Sequence, residues 1–120
     1  MTDPINLSKK FSLFSDHWNP RIIGELNDSY VKLAKVKGEF DWHHHDNEDE
    51  LFLVVKGHLL MKFRDRDVEV NEGEIIIVPR GVDHKPVAPA ETQILLLEPK
   101  TTLNTGNIEN ERTRKDLEWI

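Results

Sequence analysis

The chain has 120 residues, 38% hydrophobic and 32% charged, with a formal net charge of −6 and no cysteine. This length favours one compact domain with a single core. The missing cysteines exclude disulfides, thiolate ligands and cysteine nucleophiles, and the acidic balance argues against nucleic acid, whose phosphates are met by clustered Lys and Arg.

The longest apolar runs, Ile75 to Val78 and Ile94 to Leu97, are too short to cross a bilayer. The opening MTDPINLSKK lacks the apolar stretch of a secretory leader, so a cytoplasmic protein with no membrane partner is expected. In chain order, residues 6–14 place Leu7, Phe11 and Phe14 at helical spacing and predict a short N-terminal helix. Residues 22–27 and 30–37 read as strands around the turn Asn27-Asp28-Ser29. Short β-type runs bounded by turn residues follow at 50–56, 58–64, 67–70, 74–78 and 92–98. Gly57, Asp65-Arg66-Asp67, Asn71-Glu72-Gly73, Pro79-Arg80-Gly81 and Pro99 separate or end them. This spacing predicts an all-β sandwich or closed barrel, because parallel βαβ units need helix-length connections that the gaps do not supply. Residues 101–110, with Gly106 and three Asn, read as an ordered or semi-ordered loop. Thr113 and Asp116 have capping-box spacing ahead of Leu117 and Trp119, which predicts a final short helix. Trp119 and Ile120 are expected to dock on the barrel or a partner subunit.

The densest chemistry lies in Trp42-His43-His44-His45-Asp46-Asn47-Glu48-Asp49-Glu50. On a strand, residues two apart share a face, roughly 6–7 Å apart. His43 and His45 can therefore reach one ion, with His44 on the other face. Glu50 opens the next strand and can return its carboxylate to the same point. Imidazole with carboxylate suits one divalent transition metal (Fe, Mn, Ni, Zn, Co or Cu) rather than calcium or magnesium. A second stretch runs from Gly73 through Pro79 and Gly81 to His84, where a new strand begins. A closed barrel could bring His84 opposite the first group.

Both stretches resemble the signature motifs of the cupins. Gly38, His43, His45, Glu50 and Gly57 meet the first motif; Gly73, Pro79, Gly81 and His84 meet the second. Ala88 stands where the family often has Asn, and the first spacer is one residue shorter than its commonest form. A rival register, His44, Asp46 and Glu50, restores the full spacer from Gly38 but offers Asp where the family has His. The resemblance implies a double-stranded β-helix (jelly-roll) barrel with short terminal helices. One cupin domain would span residues 1–120, with a core barrel at about 20–99, an N-terminal arm at 1–19 and a C-terminal extension at 100–120. It further implies metal binding by His43, His45, Glu50 and His84 near the barrel centre, with one or two positions left for water or substrate. Small cupins of this type often form homodimers.

His17 and His58 match neither motif and read as structural or solvent-facing. Trp42, Met61, Phe63 and the Ile75 to Val78 run read as packing residues, while Tyr30 and Gln93 are candidate pocket walls. Three neutral imidazoles and one carboxylate leave a divalent ion with a net charge near +1, able to polarise a carbonyl, activate water or, if redox-active, bind O₂. Glu50 is also a candidate base. The expected function is a metal-dependent enzyme acting on a small oxygen-rich molecule: a dioxygenase, sugar or uronate isomerase, lyase or polyketide-type cyclase. The alternatives are a non-catalytic module that binds or senses a small molecule through its metal, and a structural metal site.

Overall fold

Alternating burial along the strands explains most of the architecture. In a computed structural model that describes residues 2–120, seven strands form one antiparallel sheet that curls on itself. They are β1 (Arg21–Leu26), β2 (Ser29–Glu39), β3 (Glu50–Lys56), β4 (His58–Phe63), β5 (Asp67–Asn71), β6 (Ile75–Val78) and β7 (His84–Pro99). A single helix, α1 (Leu7–Phe11), precedes them. The main path is β1-β2-β7-β3-β6, and β4 joins β7 to β5. This is an all-β jelly-roll barrel, the fold that the resemblance implies. No helix among the described residues is long and apolar enough to cross a membrane.

β7 is the spine of the barrel. The runs expected from His84 and at 92–98 are its two halves: the first pairs with β4 and the second with β3, while β2 lies along both. Between Ala88 and Thr92 the β2 register skips, leaving Pro89, Ala90 and Glu91 opposite a single β2 residue. A proline in such a bulge forfeits no ladder hydrogen bond.

Side chains on successive residues face opposite ways, so β2 serves two cores. Ala34 and Val36 join Phe52, Val54, Leu59, Met61, Val70, Val78, Ala88, Ile94 and Leu96 inside the barrel. Leu33 points outward and meets Phe11, Phe14 and Ile23 beneath α1. Each fully buried side chain of this kind contributes about 1.5–3 kcal/mol. At Gly57, φ is +103° and a Cβ would come within 2.7 Å of the Thr92 hydroxyl, so the turn from β3 to β4 requires glycine.

Three expectations need correction. The N-terminal helix is shorter than residues 6–14. Asn6 is its cap, accepting from the Lys9 N–H, and Ser12 closes it by donating its hydroxyl to the Lys9 carbonyl. Phe14 therefore leaves the helix and packs on Phe11, with ring centroids 6.0 Å apart. No C-terminal helix forms: the Thr113 hydroxyl is already engaged with the Thr105 hydroxyl and the Asn110 N–H. The chain end instead pairs with β1, through Ile22 N–H to Glu118 O and Ile120 N–H to Ile22 O. Trp119 docks edge-on against Tyr30 yet stays 52% exposed. The third correction concerns the isoleucine run, because Ile75 and Ile77 point outward from edge strand β6 and only Val78 is fully inside.

Candidate metal centre

The two histidine-bearing stretches are tied together through their backbones. His43 N–H donates to His84 O at 3.0 Å and His84 N–H to His43 O at 2.9 Å, an isolated antiparallel bridge. Gly81 N–H donates to His45 O at 2.7 Å. Glu50, first residue of β3, shares the interior face with Phe52 and Val54. The side chains of His43, His45, Glu50 and His84 are thus brought together and buried, with one nitrogen or oxygen from each lying within 4.8 Å of the others.

Three features show that this set fits a cation. First, the Nδ1 atoms of His43 and His84 each lie 2.9 Å from a backbone carbonyl, of Asp41 and Val82, which they meet as N–H donors. The bare nitrogen of each neutral ring is then Nε2, aimed at the cluster. Second, His84 Nε2 is also 3.1 Å from Glu50 Oε1. A neutral imidazole has only one N–H, so it cannot donate from both nitrogens; a cation between Nε2 and the carboxylate removes the conflict. Third, His45 Nε2 stands 2.9 Å from the same Glu50 oxygen without a hydrogen bond's direction, and both His45 nitrogens are buried without a partner. Unpaired buried polar atoms are costly.

The electrostatics agree. Burial, then the neighbouring His84, lowers the His43 pKa to about 4, which keeps the ring in its neutral, ligating form. Burial alone would raise Glu50, but its close polar contacts with Glu98, His45 and His84 outweigh it and hold the carboxyl well below its usual range. Glu98 moves the opposite way: burial and the Glu50 charge push it well above the carboxylate range, against the pull of Lys32.

The rival set is not assembled. His44 turns outward, with Nδ1 2.9 Å from Asp83 and Nε2 3.0 Å from Asp46, and the hydrogen bonds to Asp83 and Asp46 raise its pKa. His17 meets Glu91, and His58 meets Asn71, both at exposed sites as expected. Trp42 carries the Arg64 guanidinium 3.9 Å above its ring, away from the cluster. Met61 is fully buried and Phe63 packs against the same core. Tyr30 and Gln93 do not line the cavity beside the cluster. Tyr30 packs on Trp119, and Gln93 alternates outward between inward-facing Thr92 and Ile94.

That cavity, of about 50 Å³, opens beside His43 and Glu50. Trp18, Phe40, Phe52, Ile94 and Leu96 supply apolar wall, while Glu98 and Asn104 add polar atoms. Glu98 was not picked out from the sequence, although alternation from Thr92 through Ile94 and Leu96 puts it on the inward face. The C-terminal extension also reaches the site. Residues 104–112 form an ordered strap across the histidine-bearing segment. Asn107 exchanges two hydrogen bonds with the His44 backbone, Asn110 donates to Asp41, and Arg112 donates to Glu39 O. Gly106 (φ +58°) lies so close that a Cβ there would overlap His44 O and come 3.1 Å from the His43 ring.

Residues 29–98 match the Cupin_2 cupin-domain model. The chain is similar to a cupin-2 domain containing protein from Shewanella frigidimarina, with 49% identity and a TM-score of 0.79, covering 80% of this chain and 94% of that one. It is 40% identical over 79 residues to the uncharacterised protein YdbB of Bacillus subtilis, covering 65% of this chain and 70% of that protein. A 3-hydroxyanthranilate 3,4-dioxygenase of Aspergillus fumigatus is 32% identical over 80 residues, 62% of this chain and 42% of that enzyme. The chain thus spans about two-fifths of that relative's length. The family match covers more than half of the chain, from the start of β2 almost to the end of β7, and the chain belongs to the cupin family.

Proposed function

We propose that this cupin holds one divalent transition metal through His43, His45, Glu50 and His84 and acts as an enzyme on a small oxygen-rich molecule. The observation that carries this reading is the convergence of the bare imidazole nitrogens and the Glu50 carboxylate on one buried point, with both His45 nitrogens unsatisfied. Once bound, such an ion supplies Lewis acidity to a substrate oxygen or, if redox-active, a route to O₂. The chain's own groups do the rest. The carbonyls of Asp41 and Val82 fix the ring orientations of His43 and His84. The apolar walls exclude water, and Glu50 is positioned to accept a proton from a substrate held beside it. The relatives named as 3-hydroxyanthranilate 3,4-dioxygenases favour dioxygenation among the candidate reactions.

O₂ uptake by iron(II)-loaded protein, measured over a panel of small enols, diketones and aminophenols, tests the reading. Uptake with at least one member and its loss in His84→Ala is expected. A metal-loaded protein inert to the whole panel, while binding its members, would favour a module that binds without turnover. The exposed Ile75 and Ile77 on edge strand β6 support the homodimer expected of a small cupin. An elution volume of a monomer in size-exclusion chromatography would remove that part.

A further inference from the structure

The two-residue period of β2 puts Tyr30, Lys32, Ala34 and Val36 on one face. Ala34 and Val36 reach the barrel core, and Lys32 is buried with its Nζ donating to Glu98 Oε1 at 2.8 Å. Tyr30, near the start of the strand, lies beyond that core and meets Trp119 edge-on, with ring centroids 5.7 Å apart. A groove of about 380 Å³ opens there, and none of the four proposed metal ligands lines it. Its volume falls within the roughly 300–1,000 Å³ usual for small-molecule sites.

We propose that this groove is a second binding site, for a small molecule that joins a planar ring to a carboxylate or phosphate group. Three observations carry it. Lys100, Arg114 and Lys115 line the groove against a single acid, Asp116, in a chain whose formal net charge is −6. Arg114 Nη1 donates only to the carbonyls of Glu111 and Thr113, and no carboxylate among the described residues pairs with its charge. Trp119, on the same wall, leaves a large ring 52% exposed, a surface on which a planar ring can stack. Thr102, also on the wall, is only 8% exposed and its hydroxyl has no hydrogen-bond partner. A turn of that hydroxyl toward the groove would give up no hydrogen bond and gain one from an anion's oxygen.

Lys100 and Lys115 are paired, with Glu25 at 2.9 Å and with Glu109 at 2.6 Å. Both pairs lie at exposed positions, where such bonds hold weakly and are screened by salt. An arriving anion can therefore share both lysines, and it meets in Arg114 a fork of donors suited to carboxylate or phosphate oxygens. Lys32 is also on the wall but is already bonded to Glu98 and is left out of this count. Lys100 Nζ lies 5.3 Å from the centre of the Tyr30 ring, so charge and aromatic surface meet in one place. A bare phosphate forgoes the ring contact, and a neutral phenol forgoes the cations.

The test is an NMR titration of the full, untagged chain that follows the tryptophan indole N–H signals, each assigned from its Phe variant. The probes are phenyl phosphate and benzoate, with phenol and inorganic phosphate as the ring and the anion alone. At least one ring-bearing anion should shift the Trp119 signal saturably, with a Kd below about 1 mM and about tenfold or more tighter than phenol or inorganic phosphate. Arg114→Gln and Lys115→Gln should each weaken that binding about threefold or more. Lys115 is exposed, so its replacement leaves the fold intact and keeps the test open if Arg114→Gln is unstable. Arg64→Gln removes an equal charge, stacked on Trp42 away from the groove, and should leave the affinity within about twofold of wild type. A shift of the Trp18 signal alone would put the probe in the cavity beside the metal cluster and overturn the proposal. So would the lack of a saturable Trp119 shift, inorganic phosphate binding as tightly as the ring-bearing anions, or Arg64→Gln weakening binding as much as Lys115→Gln.

Discussion

Individual side chains around the centre hold commitments that can be tested one at a time. In the metal-free protein the His43 pKa falls from 6.5 to about 4 because the ring is buried beside His84. Between these values the unfolded chain holds more protons than the folded one. The His43 contribution is therefore complete above about pH 6.5, is lost as pH falls toward about 4, and levels off below that. The full effect is on the order of 3 kcal/mol. Urea denaturation of EDTA-treated wild type and His43→Asn, followed from pH 7 to pH 4, should show the stability difference shrinking or reversing as pH falls. A difference independent of pH would contradict the buried neutral imidazole. At Gly106, alanine would meet both a positive φ and the His44 carbonyl. Gly106→Ala should cost about 1–3 kcal/mol and loosen metal binding, because the strap rests on the segment that carries His43 and His45. An unchanged denaturation midpoint and metal affinity would show that the strap is incidental.

At the level of strands, the two-residue period decides which substitutions matter. Met61, inside β4, is fully buried, so Met61→Ala should cost about 2–5 kcal/mol. Ile77, 56% exposed on β6, should accept Thr within about 0.5 kcal/mol. Comparable losses at both positions in urea melts would mean that β6 is covered in solution, as in a dimer. The same alternation explains what was legible beforehand. His43 and His45 two apart, Glu50 at the head of an apolar strand and His84 at the head of another were enough to anticipate the cluster. Turn residues between short apolar runs likewise anticipated six of the seven strands nearly to the residue. The length of β7 was hidden because Pro86 and Pro89 look like breakers, and only the bulge opposite β2 shows how Pro89 is accommodated. The C-terminal strap was hidden for a different reason: its order comes from hydrogen bonds to residues some 60 or more positions away, such as Asn107 to His44 and Asn110 to Asp41. Local patterning cannot encode such contacts. Glu98 and Lys32 looked like ordinary strand charges until the register placed them on one interior face.

For the molecule as a whole, the barrel brings three histidines and two carboxyls into an apolar interior, an arrangement unfavourable without a charge to organise it. Metal binding should therefore be coupled to folding: chelation lowers the melting temperature and re-addition of metal restores it. A melting temperature indifferent to EDTA would mean that the histidine and carboxyl groups satisfy one another unaided. The most direct measurement is the metal content, by elemental analysis, of untagged wild type, His45→Ala and His44→Ala after identical reconstitution. About one metal per chain is expected in wild type and in His44→Ala, whose ring faces Asp83 and Asp46 outside the barrel, and almost none in His45→Ala. Full metal in His45→Ala, or its loss in His44→Ala alone, would contradict the proposed centre.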